Sequence, residues 1–145
     1  KAGVAITISR WIWTRTGVAL PLDVGYLSGL CALLGHLFPV YFHFKGGKGV
    51  ATSLGIIFCI QPLVFVILAV AFVPIVFITR IVSLGSVLGA LFYPFITWLV
   101  HFLQGENPWY DTLGAIVIST LVLMMHRENV KRLLTGTEHR FGTKK

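Results

Sequence analysis

Charged residues are scarce in this 145-residue sequence, of which Asp, Glu, Lys and Arg make up only 12%. Soluble domains average about 25% charged residues. This chain is instead 56% hydrophobic and has a mean hydropathy of +0.85. A single soluble core cannot hide so much apolar surface in so short a chain, whereas a bilayer can solvate it. The shortage of charge therefore excludes an ordinary soluble domain and predicts an integral membrane protein.

Acidic residues and cysteines are rarer still. Five Asp and Glu residues stand against twelve Lys and Arg, which gives a net charge of +7. The basic residues form short clusters between apolar runs rather than one continuous stripe, so they indicate positive-inside membrane topology and no nucleic-acid partner. Cys31 and Cys59 both lie in apolar segments without CxxC or Cys/His spacing. They predict small buried thiols, and we expect no metal site.

The apolar runs between the charges predict an all-α, polytopic transmembrane bundle. Residues 50–79 would form a helix of about 45 Å, which is too long for one untilted crossing, so Gln61 and Pro62 are expected to break it. Small residues at positions 25, 28, 29 and 35 favour close helix–helix approach in lipid. Residues 1–145 are interpreted as a single membrane domain with about six helical segments: 1–13, 24–42, 50–60, 62–79, 82–103 and 112–125.

The basic residues also predict how the segments are oriented. If the loop that carries Lys45 and Lys48 is cytoplasmic, the 50–79 hairpin returns Arg80 to the same side, and the last segment returns His126. The Gln104–Asp111 loop has no Lys or Arg and would lie on the opposite side. Nine of the twelve basic residues would then be cytoplasmic: Lys45, Lys48, Arg80, Arg127, Lys131, Arg132, Arg140, Lys144 and Lys145.

The loop Lys45-Gly46-Gly47-Lys48-Gly49 is typical of an anion-binding site. Glycines leave backbone N–H groups accessible, the predicted helix that follows turns its positive N-terminus towards the loop, and the two lysines add charge. The loop is not a Walker A sequence, because Phe occupies position 42 and Gly follows Lys48. We interpret it as a phosphate site; the alternative is a basic loop that only sets topology.

A second polar segment runs from His126 to Glu138. His126 and Asn129 are three residues apart, so they share one face of a helix, and a histidine there could move a proton near neutral pH. A basic stop-transfer tail would explain Arg127 and its basic neighbours, but it leaves His126 and Asn129 unexplained. The segment is therefore a candidate for catalysis as well as for topology.

Three further polar residues lie between or beside these segments. Ser83 and Ser86 share a face of the predicted 82–103 helix, although two serines in a membrane helix more often serve packing. His36 lies in an apolar stretch, and we expect it to be a hydrogen-bonded structural residue.

These motifs resemble those of the bacterial acyl-phosphate:glycerol-3-phosphate acyltransferases over almost all of residues 24–142. The segment from Gly35-His36-Leu37-Phe38-Pro39-Val40 to Phe44-Lys45-Gly46-Gly47-Lys48-Gly49-Val50-Ala51-Thr52 is similar to the second motif of that family. His126-Arg127-Glu128-Asn129 with Arg132-Leu133 and Gly136-Thr137-Glu138 resembles the third. Thr79-Arg80 and Val82-Ser83-Leu84 resemble the turn between them.

The resemblance implies a multi-pass enzyme of about seven helices in the bacterial cytoplasmic (inner) membrane, with its active site facing the cytoplasm. Such an enzyme transfers a fatty acyl group from acyl phosphate to the 1-hydroxyl of glycerol 3-phosphate and yields lysophosphatidic acid and phosphate, the first step of phospholipid synthesis. The family's first motif has no match here, and Lys1-Ala2-Gly3 resembles the region just after it. We therefore expect the N-terminal helix and the first motif to lie outside this sequence.

The chemistry of the residues agrees with these substrates. An acyl phosphate is already activated, so neither a nucleophilic side chain, a cofactor nor a metal is required; the protein must hold two phosphoryl groups and align an alcohol with a carbonyl. His126 would position or deprotonate the hydroxyl, unless a phosphate oxygen of the donor takes the proton. The other expected roles are phosphate binding by Lys45, Gly46, Gly47, Lys48 and Gly49, substrate binding by Arg127, orientation of glycerol 3-phosphate by Ser83 or Ser86 and Asn129, and loop organisation by Glu138.

Two other classes of function remain open from the sequence. A transporter for a phosphorylated solute would carry polar or charged groups near the bilayer midplane, where this chain offers mainly Gln61 and His36. A small structural subunit would need no anion site. The His-x4-Asp signature of other glycerol-phosphate acyltransferases is absent, because no histidine here has Asp five residues later.

Overall fold

The computed structural model describes residues 1–17, 23–44 and 46–142, and within these ranges it contains seven α-helices, one short 3-10 turn and no strand. The all-α prediction is confirmed. Each of the six predicted segments contains a helix, and α7 forms after the last of them, in the polar segment where His126 and Asn129 were expected to share a helix face. The helices are α1 (Ala2–Thr16), α2 (Val24–Leu37), α3 (Val50–Ile60), α4 (Pro62–Thr79), α5 (Val82–Leu103), α6 (Trp109–Met125) and α7 (Arg127–Leu134), and the 3-10 turn is Val40–Phe42.

Local sequence explains several helix ends. The Asp23 side chain accepts a 2.7 Å hydrogen bond from the Gly25 N–H and so caps the start of α2. Gly17 ends α1 in a left-handed conformation with φ of 67°. Pro62 is the first residue of α4, a position where its missing N–H is not needed. The predicted break at Gln61 and Pro62 is therefore confirmed.

The α3–α4 pair folds back on itself as a hairpin. Lys48, just before α3, and Arg80, just after α4, line the same cavity although both helices separate them in the sequence. Ser83 at the start of α5 and His126 at the end of α6 line this cavity too. The chain therefore returns to one end of the bundle, as the charge pattern predicted, and we call it the site end.

The outer surface of the bundle is apolar. By length and composition α4 and α5 could each cross a membrane, and α6 with α7, which are bent by 65°, would make a third span if the pair is counted as one. Large side chains are exposed on α4 and α5; Phe77 is 72% exposed, Ile78 81% and Phe95 59%. Such exposure is unfavourable in water, at about 25 cal/mol per Å², but not in lipid. The fold is that of an integral membrane protein.

Small residues allow close helix contacts at most of the predicted positions. A Cβ atom at Gly29 would lie 2.8 Å from Ile56 Cγ2, so α2 and α3 approach as closely as a glycine permits. A Cβ at Gly25 would lie 3.2 Å from Ile6 Cγ2, and Ser9 Oγ donates a 2.9 Å hydrogen bond to Ser28 Oγ. The prediction is wrong for Gly35 within the part of the chain that the structure describes, because no other helix comes within 4 Å of a Cβ added there.

Hydrogen bonds connect the tip of the α3–α4 hairpin to α5, at the end of the bundle opposite the site end. Thr97 Oγ1 donates to Gln61 Oε1 at 3.1 Å, and the Gln61 amide Nε2 lies 2.7 Å from His101 Nε2. Because the amide nitrogen can only donate, His101 Nε2 is the acceptor, and its Nδ1–H faces Glu106 Oε2 at 2.6 Å. Gln61 is buried, so these contacts replace water at the hairpin tip.

We expect Gln61→Ala to lower the thermal stability of the protein in lipid, because the Thr97 and His101 groups lose their partner. Interhelical hydrogen bonds in membranes contribute about 0.6 kcal/mol on average and about 1.7 at most, so the loss should be about 1 kcal/mol. Gln104→Ala, which changes an exposed glutamine at the same end of α5, is the matched control. Equal melting temperatures for the two variants would contradict the proposed role of Gln61.

Candidate active site

A cavity of about 330 Å³ opens at the site end. The N-terminal ends of α3 and α5, the C-terminal ends of α4 and α6, the helix α7 and the chain after it all contribute to its wall. We call it the polar cavity. It brings together six residues that the sequence singled out: Lys48, Ser83, Ser86, His126, Asn129 and Glu138.

The Glu138 carboxylate is the centre of the hydrogen bonds in this cavity. Ser83 Oγ and Asn129 Nδ2 donate to Glu138 Oε1 at 2.8 and 2.7 Å, and Arg132 Nε donates to Oε2 at 2.8 Å. Burial by itself would raise the pKa of this carboxyl, but the three hydrogen bonds and the Arg132 charge outweigh burial and lower the pKa below its usual value. Glu138 is therefore ionised at neutral pH and joins α5, α7 and the chain after α7.

His126 and Asn129 each have an atom that can accept a hydrogen bond from a ligand in the polar cavity. The buried His126 ring lies with Nδ1 2.8 Å from the Val122 carbonyl oxygen, which can only accept, so Nδ1 carries the hydrogen. In the neutral ring Nε2 is then the acceptor. Asn129 Oδ1 is buried and has no hydrogen-bond partner among the described residues, because only Nδ2 is used by Glu138. Both atoms suit a substrate hydroxyl.

Two cations in the polar cavity lack a carboxylate partner. Neither Lys48 nor Arg80 forms an ion pair with any acidic residue in the described ranges, and Glu138 is already paired with Arg132. From the sequence, Arg80 was expected at the cytoplasmic end and in the turn between the two family motifs, but it was not among the predicted site residues. Its position three residues before Ser83 is the signal that it faces the same site. A cavity with two uncompensated positive charges attracts an anion such as a phosphate.

Arg80 is also held in an unusual backbone conformation. Its φ of 59° is left-handed, which costs a non-glycine residue about 1 kcal/mol. The Arg80 N–H donates to the Val76 carbonyl at 2.8 Å, and the Phe141 N–H donates to the Arg80 carbonyl at 2.9 Å. The chain after α7 thus fixes Arg80, and its residues His139 and Phe141 complete the cavity wall. Neither His139 nor Phe141 is among the site residues predicted from the sequence.

The glycine loop packs tightly against the end of α2. A Cβ atom at Gly46 would lie 2.1 Å from the His36 carbonyl oxygen, and one at Gly47 would lie 2.7 Å from His36 Nε2. Gly49 is buried, with φ of 77°, and precedes the first residue of α3. Close packing therefore requires glycine at these positions, in addition to any ligand contact.

The loop is divided between two cavities. Gly46, Gly47 and His36 line a second cavity of about 820 Å³, while Lys48 lines the polar cavity. Lys45 lies outside the described residues. The structure does not bring Arg127 to either cavity, since its side chain is 73% exposed and lies 3.8 Å from Glu128.

A third, apolar cavity of about 130 Å³ lies between α3, α4, α5 and α6. We call it the apolar cavity. It shares Val50 and Ser86 with the polar cavity, so the two adjoin. The two adjoining cavities suit an amphipathic ligand with a phosphate at one end and a hydrocarbon chain at the other.

Within residues 1–17, 23–44 and 46–142, no group of three or more His, Cys, Asp or Glu side chains is placed to hold a metal ion.

Comparison with known proteins gives one consistent family. Residues 1–136 match the sequence profile described as glycerol-3-phosphate acyltransferase. The chain belongs to the glycerol-3-phosphate acyltransferase family. A glycerol-3-phosphate acyltransferase of Macrococcus caseolyticus (strain JCSC5402) is 41% identical over 154 residues, which cover 100% of this chain and 74% of that protein. One of Aquifex aeolicus (strain VF5) is 44% identical over 134 residues, which cover 92% of this chain and 61% of the relative.

Solved structures of the family have the same fold. The crystal structure of PlsY, an integral membrane glycerol 3-phosphate acyltransferase, in its glycerol 3-phosphate form matches with a TM-score of 0.74 at 39% identity. Its lysophosphatidic acid form matches with a TM-score of 0.73. The match to the former covers 98% of this chain and 64% of that protein. This chain thus spans about two thirds of the length of its relatives.

Because Glu138 is ionised, we expect the site end to lose stability in acid. A carboxyl whose pKa is lowered by folding contributes stability that is present above its unfolded pKa and is lost as the pH falls through its folded pKa. At pH 7 we therefore expect the wild type to have a higher melting temperature than Glu138→Gln. This difference in melting temperature should shrink as the pH falls below the usual pKa of glutamate, about 4.3. Melting curves of both proteins from pH 7 to pH 3 test this. A difference that is independent of pH would show that the Glu138 charge does not hold the site together.

Proposed function

We propose that this chain carries the site at which a fatty acyl group passes from acyl phosphate to the 1-hydroxyl of glycerol 3-phosphate. The products are lysophosphatidic acid and inorganic phosphate. The observation that carries the proposal is that the polar cavity adjoins the apolar cavity. The polar cavity contains two cations without a carboxylate partner in the described ranges, and two atoms that can accept a hydrogen bond from a substrate hydroxyl. Membership in the family and the glycerol 3-phosphate and lysophosphatidic acid forms of its solved relative support glycerol 3-phosphate as the acceptor and lysophosphatidic acid as the product.

Lys48 and Arg80 bind the phosphoryl groups. Both are cations without a carboxylate partner in the described ranges, and hydrogen bonds between charged groups are about twice as strong as neutral ones. Asn129 Oδ1 accepts a hydrogen bond from a glycerol hydroxyl, while Glu138 holds the Asn129 amide and Ser83 in fixed positions. The binding groups are thus arranged before the substrate arrives, which lowers the cost of ordering them.

The transfer itself needs alignment more than a reactive side chain. The 1-hydroxyl oxygen attacks the acyl carbonyl carbon, the bond from that carbon to the phosphate oxygen breaks, and the hydroxyl proton finally leaves with the phosphate. His126 Nε2 accepts the hydrogen bond of the hydroxyl and orients its oxygen. Lys48 and Arg80 offset the negative charge that develops on the departing phosphate. The acyl-phosphate donor fits because its carbonyl is already activated.

The site end faces the cytoplasm of a bacterial inner membrane in this proposal. Lys48, Arg80 and Arg132 lie at the site end, whereas the far end of α5 carries Glu106 and the start of α6 carries Asp111. Basic residues are enriched on the cytoplasmic side of membrane proteins. This orientation gives the polar cavity access to a water-soluble phosphate ester and the apolar cavity access to lipid.

We expect the intact protein, reconstituted in lipid vesicles, to form lysophosphatidic acid from palmitoyl phosphate and labelled glycerol 3-phosphate. Palmitoyl coenzyme A and palmitoyl acyl-carrier protein should give no product, because they are thioesters and carry no phosphate on the acyl carbonyl carbon, where the proposed site binds it. Thin-layer separation of the labelled lipid measures the product, and uptake into the vesicles is measured in parallel. Uptake of glycerol 3-phosphate without acylation would reject the enzyme and support a transporter.

Residues of the polar cavity should matter far more than acidic residues at the other end. Loss of a charge-assisted hydrogen bond costs about 1.5–3 kcal/mol, so Lys48→Ala should lower kcat/KM for glycerol 3-phosphate by roughly 10- to 150-fold. Asn129→Ala should lower it as well. Glu106→Ala, which removes a carboxylate at the far end of α5, is the control and should stay close to wild type. Equal losses in all three variants would place the site elsewhere.

A further inference from the structure

Helix α7 lies across the site end of the bundle. Helix α6 carries Asp111 in its first turn, at the opposite end, and runs to His126 at the site end, where α7 is bent away from it by 65°. Because α6 runs along the bundle, α7 lies closer to the membrane plane than to the membrane normal. It is also amphipathic, since Asn129 is buried at the polar cavity whereas Arg127 and Lys131 are exposed. Both features are typical of a helix at a membrane surface.

Arg127, Lys131 and Leu134 form one exposed stripe along α7, which we call the α7 stripe. They follow one another at intervals of four and three residues, so they lie on the same face of the helix. The side chains of Arg127 and Lys131 are 73% and 74% exposed, and Leu134 is 84% exposed. A large apolar side chain beside two cations suits the boundary between lipid head groups and acyl chains.

Glu128 lies beside the α7 stripe but compensates its charge only weakly. Its Oε1 lies 3.8 Å from Arg127 Nε and 3.6 Å from Lys131 Nζ, which is beyond ordinary hydrogen-bond distance. All three side chains are more than half exposed, and ion pairs of this kind contribute little to stability. The guanidinium and the ammonium groups are therefore available to a second anion.

The inner face of α7 belongs to the candidate active site. Asn129 Nδ2 and Arg132 Nε each donate a hydrogen bond to the Glu138 carboxylate, and Asn129 lines the polar cavity. The helix has eight residues, and isolated helices of this length are unstable in water. Its order therefore depends on the contacts that its side chains make. A ligand on the outer face of α7 would also hold Asn129 in place.

We infer that the α7 stripe binds the head-group phosphate of anionic phospholipids, and that this contact holds α7 in position for the acyl transfer proposed above. Charge complementarity selects an anionic lipid such as phosphatidylglycerol, because the choline of phosphatidylcholine offsets its own phosphate. Leu134 enters the acyl boundary beside the head group. This side chain favours lipid over a soluble acidic partner, since it continues the apolar outer surface of the bundle.

We expect a phosphatidylglycerol with a photoreactive head group to label α7 in the intact protein, reconstituted in phosphatidylcholine vesicles. Mass spectrometry of the digested protein locates the label without any enzymatic reaction. Each basic residue near an anionic lipid surface raises the affinity by about fivefold. Arg127→Gln and Lys131→Gln should therefore each lower the labelling of α7 by about fivefold at low lipid concentration. Glu128→Gln should raise it, because this change removes a carboxylate that competes with the lipid phosphate.

Arg15→Gln is the matched control for the labelling. It removes one exposed positive charge at the C-terminal end of α1, away from the site end, so the labelling of α7 should stay unchanged. Excess unlabelled phosphatidylglycerol should displace the label, whereas glycerol 3-phosphate and polyglutamate should not. Displacement by glycerol 3-phosphate would assign the α7 stripe to a soluble phosphate, and displacement by polyglutamate to an acidic protein. Either result, or equal labelling of all variants, would overturn the inference.

The effect on activity rests on the proposed acyl transfer and is measured separately. Addition of phosphatidylglycerol to phosphatidylcholine vesicles should raise kcat/KM of the wild type for glycerol 3-phosphate by about fivefold or more, the usual size of coupling between two sites. Lys131→Gln should reduce this rise and leave the activity in phosphatidylcholine alone unchanged, and Lys131→Arg should restore it. An equal rise in Lys131→Gln and the wild type would contradict the inference. A wild type that is inactive in every vesicle would reject the acyl transfer instead, and the labelling would still decide whether α7 binds lipid.

Discussion

The site end of the bundle depends on one buried carboxylate. Glu138 lies 55 residues from Ser83 in the sequence, yet it accepts hydrogen bonds from Ser83, Asn129 and Arg132 at 2.7 to 2.8 Å. Since these donors come from α5 and α7, the carboxylate fixes the distance between the two helices and the chain that follows α7. Ionisation is what makes this arrangement favourable, because a protonated carboxyl would accept the same three hydrogen bonds more weakly.

The same contacts leave two positive charges without a carboxylate partner among residues 1–17, 23–44 and 46–142. Lys48 and Arg80 would be stabilised by a nearby carboxylate, but the arrangement pairs Glu138 with Arg132 on the outer side instead. Arg80 additionally holds a left-handed backbone with φ of 59°, which the Phe141 N–H supports through its bond to the Arg80 carbonyl. Strain and unpaired charge persist where function requires them and other contacts offset their cost. Both occur in the polar cavity.

Much of this architecture follows from local sequence, and the exceptions have physical reasons. Pro62 predicts the hairpin break, and the positions of Lys48 and His126 relative to apolar runs predict that both reach one end. The division of the glycine loop could not be predicted, because it depends on how closely Gly46 approaches the His36 carbonyl in three dimensions. Arg80 was predicted at the cytoplasmic end but not as a site residue, since the positive-inside pattern accounts for its charge without a ligand. Helix α7 lies in a segment too polar for hydropathy to predict it, although the spacing of His126 and Asn129 pointed to a helix there.

The junction of the two cavities limits where the proposed transfer from acyl phosphate can take place. Glycerol 3-phosphate is a water-soluble anion, whereas the donor is amphipathic, so their reacting atoms must meet where polar and apolar walls adjoin. Val50 and Ser86 line both cavities, and the Ser86 hydroxyl donates to the Val82 carbonyl at 3.2 Å instead of facing a charge. In the proposed reaction, a carbonyl carbon at this junction would have its phosphate on the side of Lys48 and Arg80 and its hydrocarbon chain on the side of the apolar cavity. In the proposed reaction, the boundary between the cavities therefore sets the alignment of hydroxyl and carbonyl on which a transfer without a nucleophilic side chain depends.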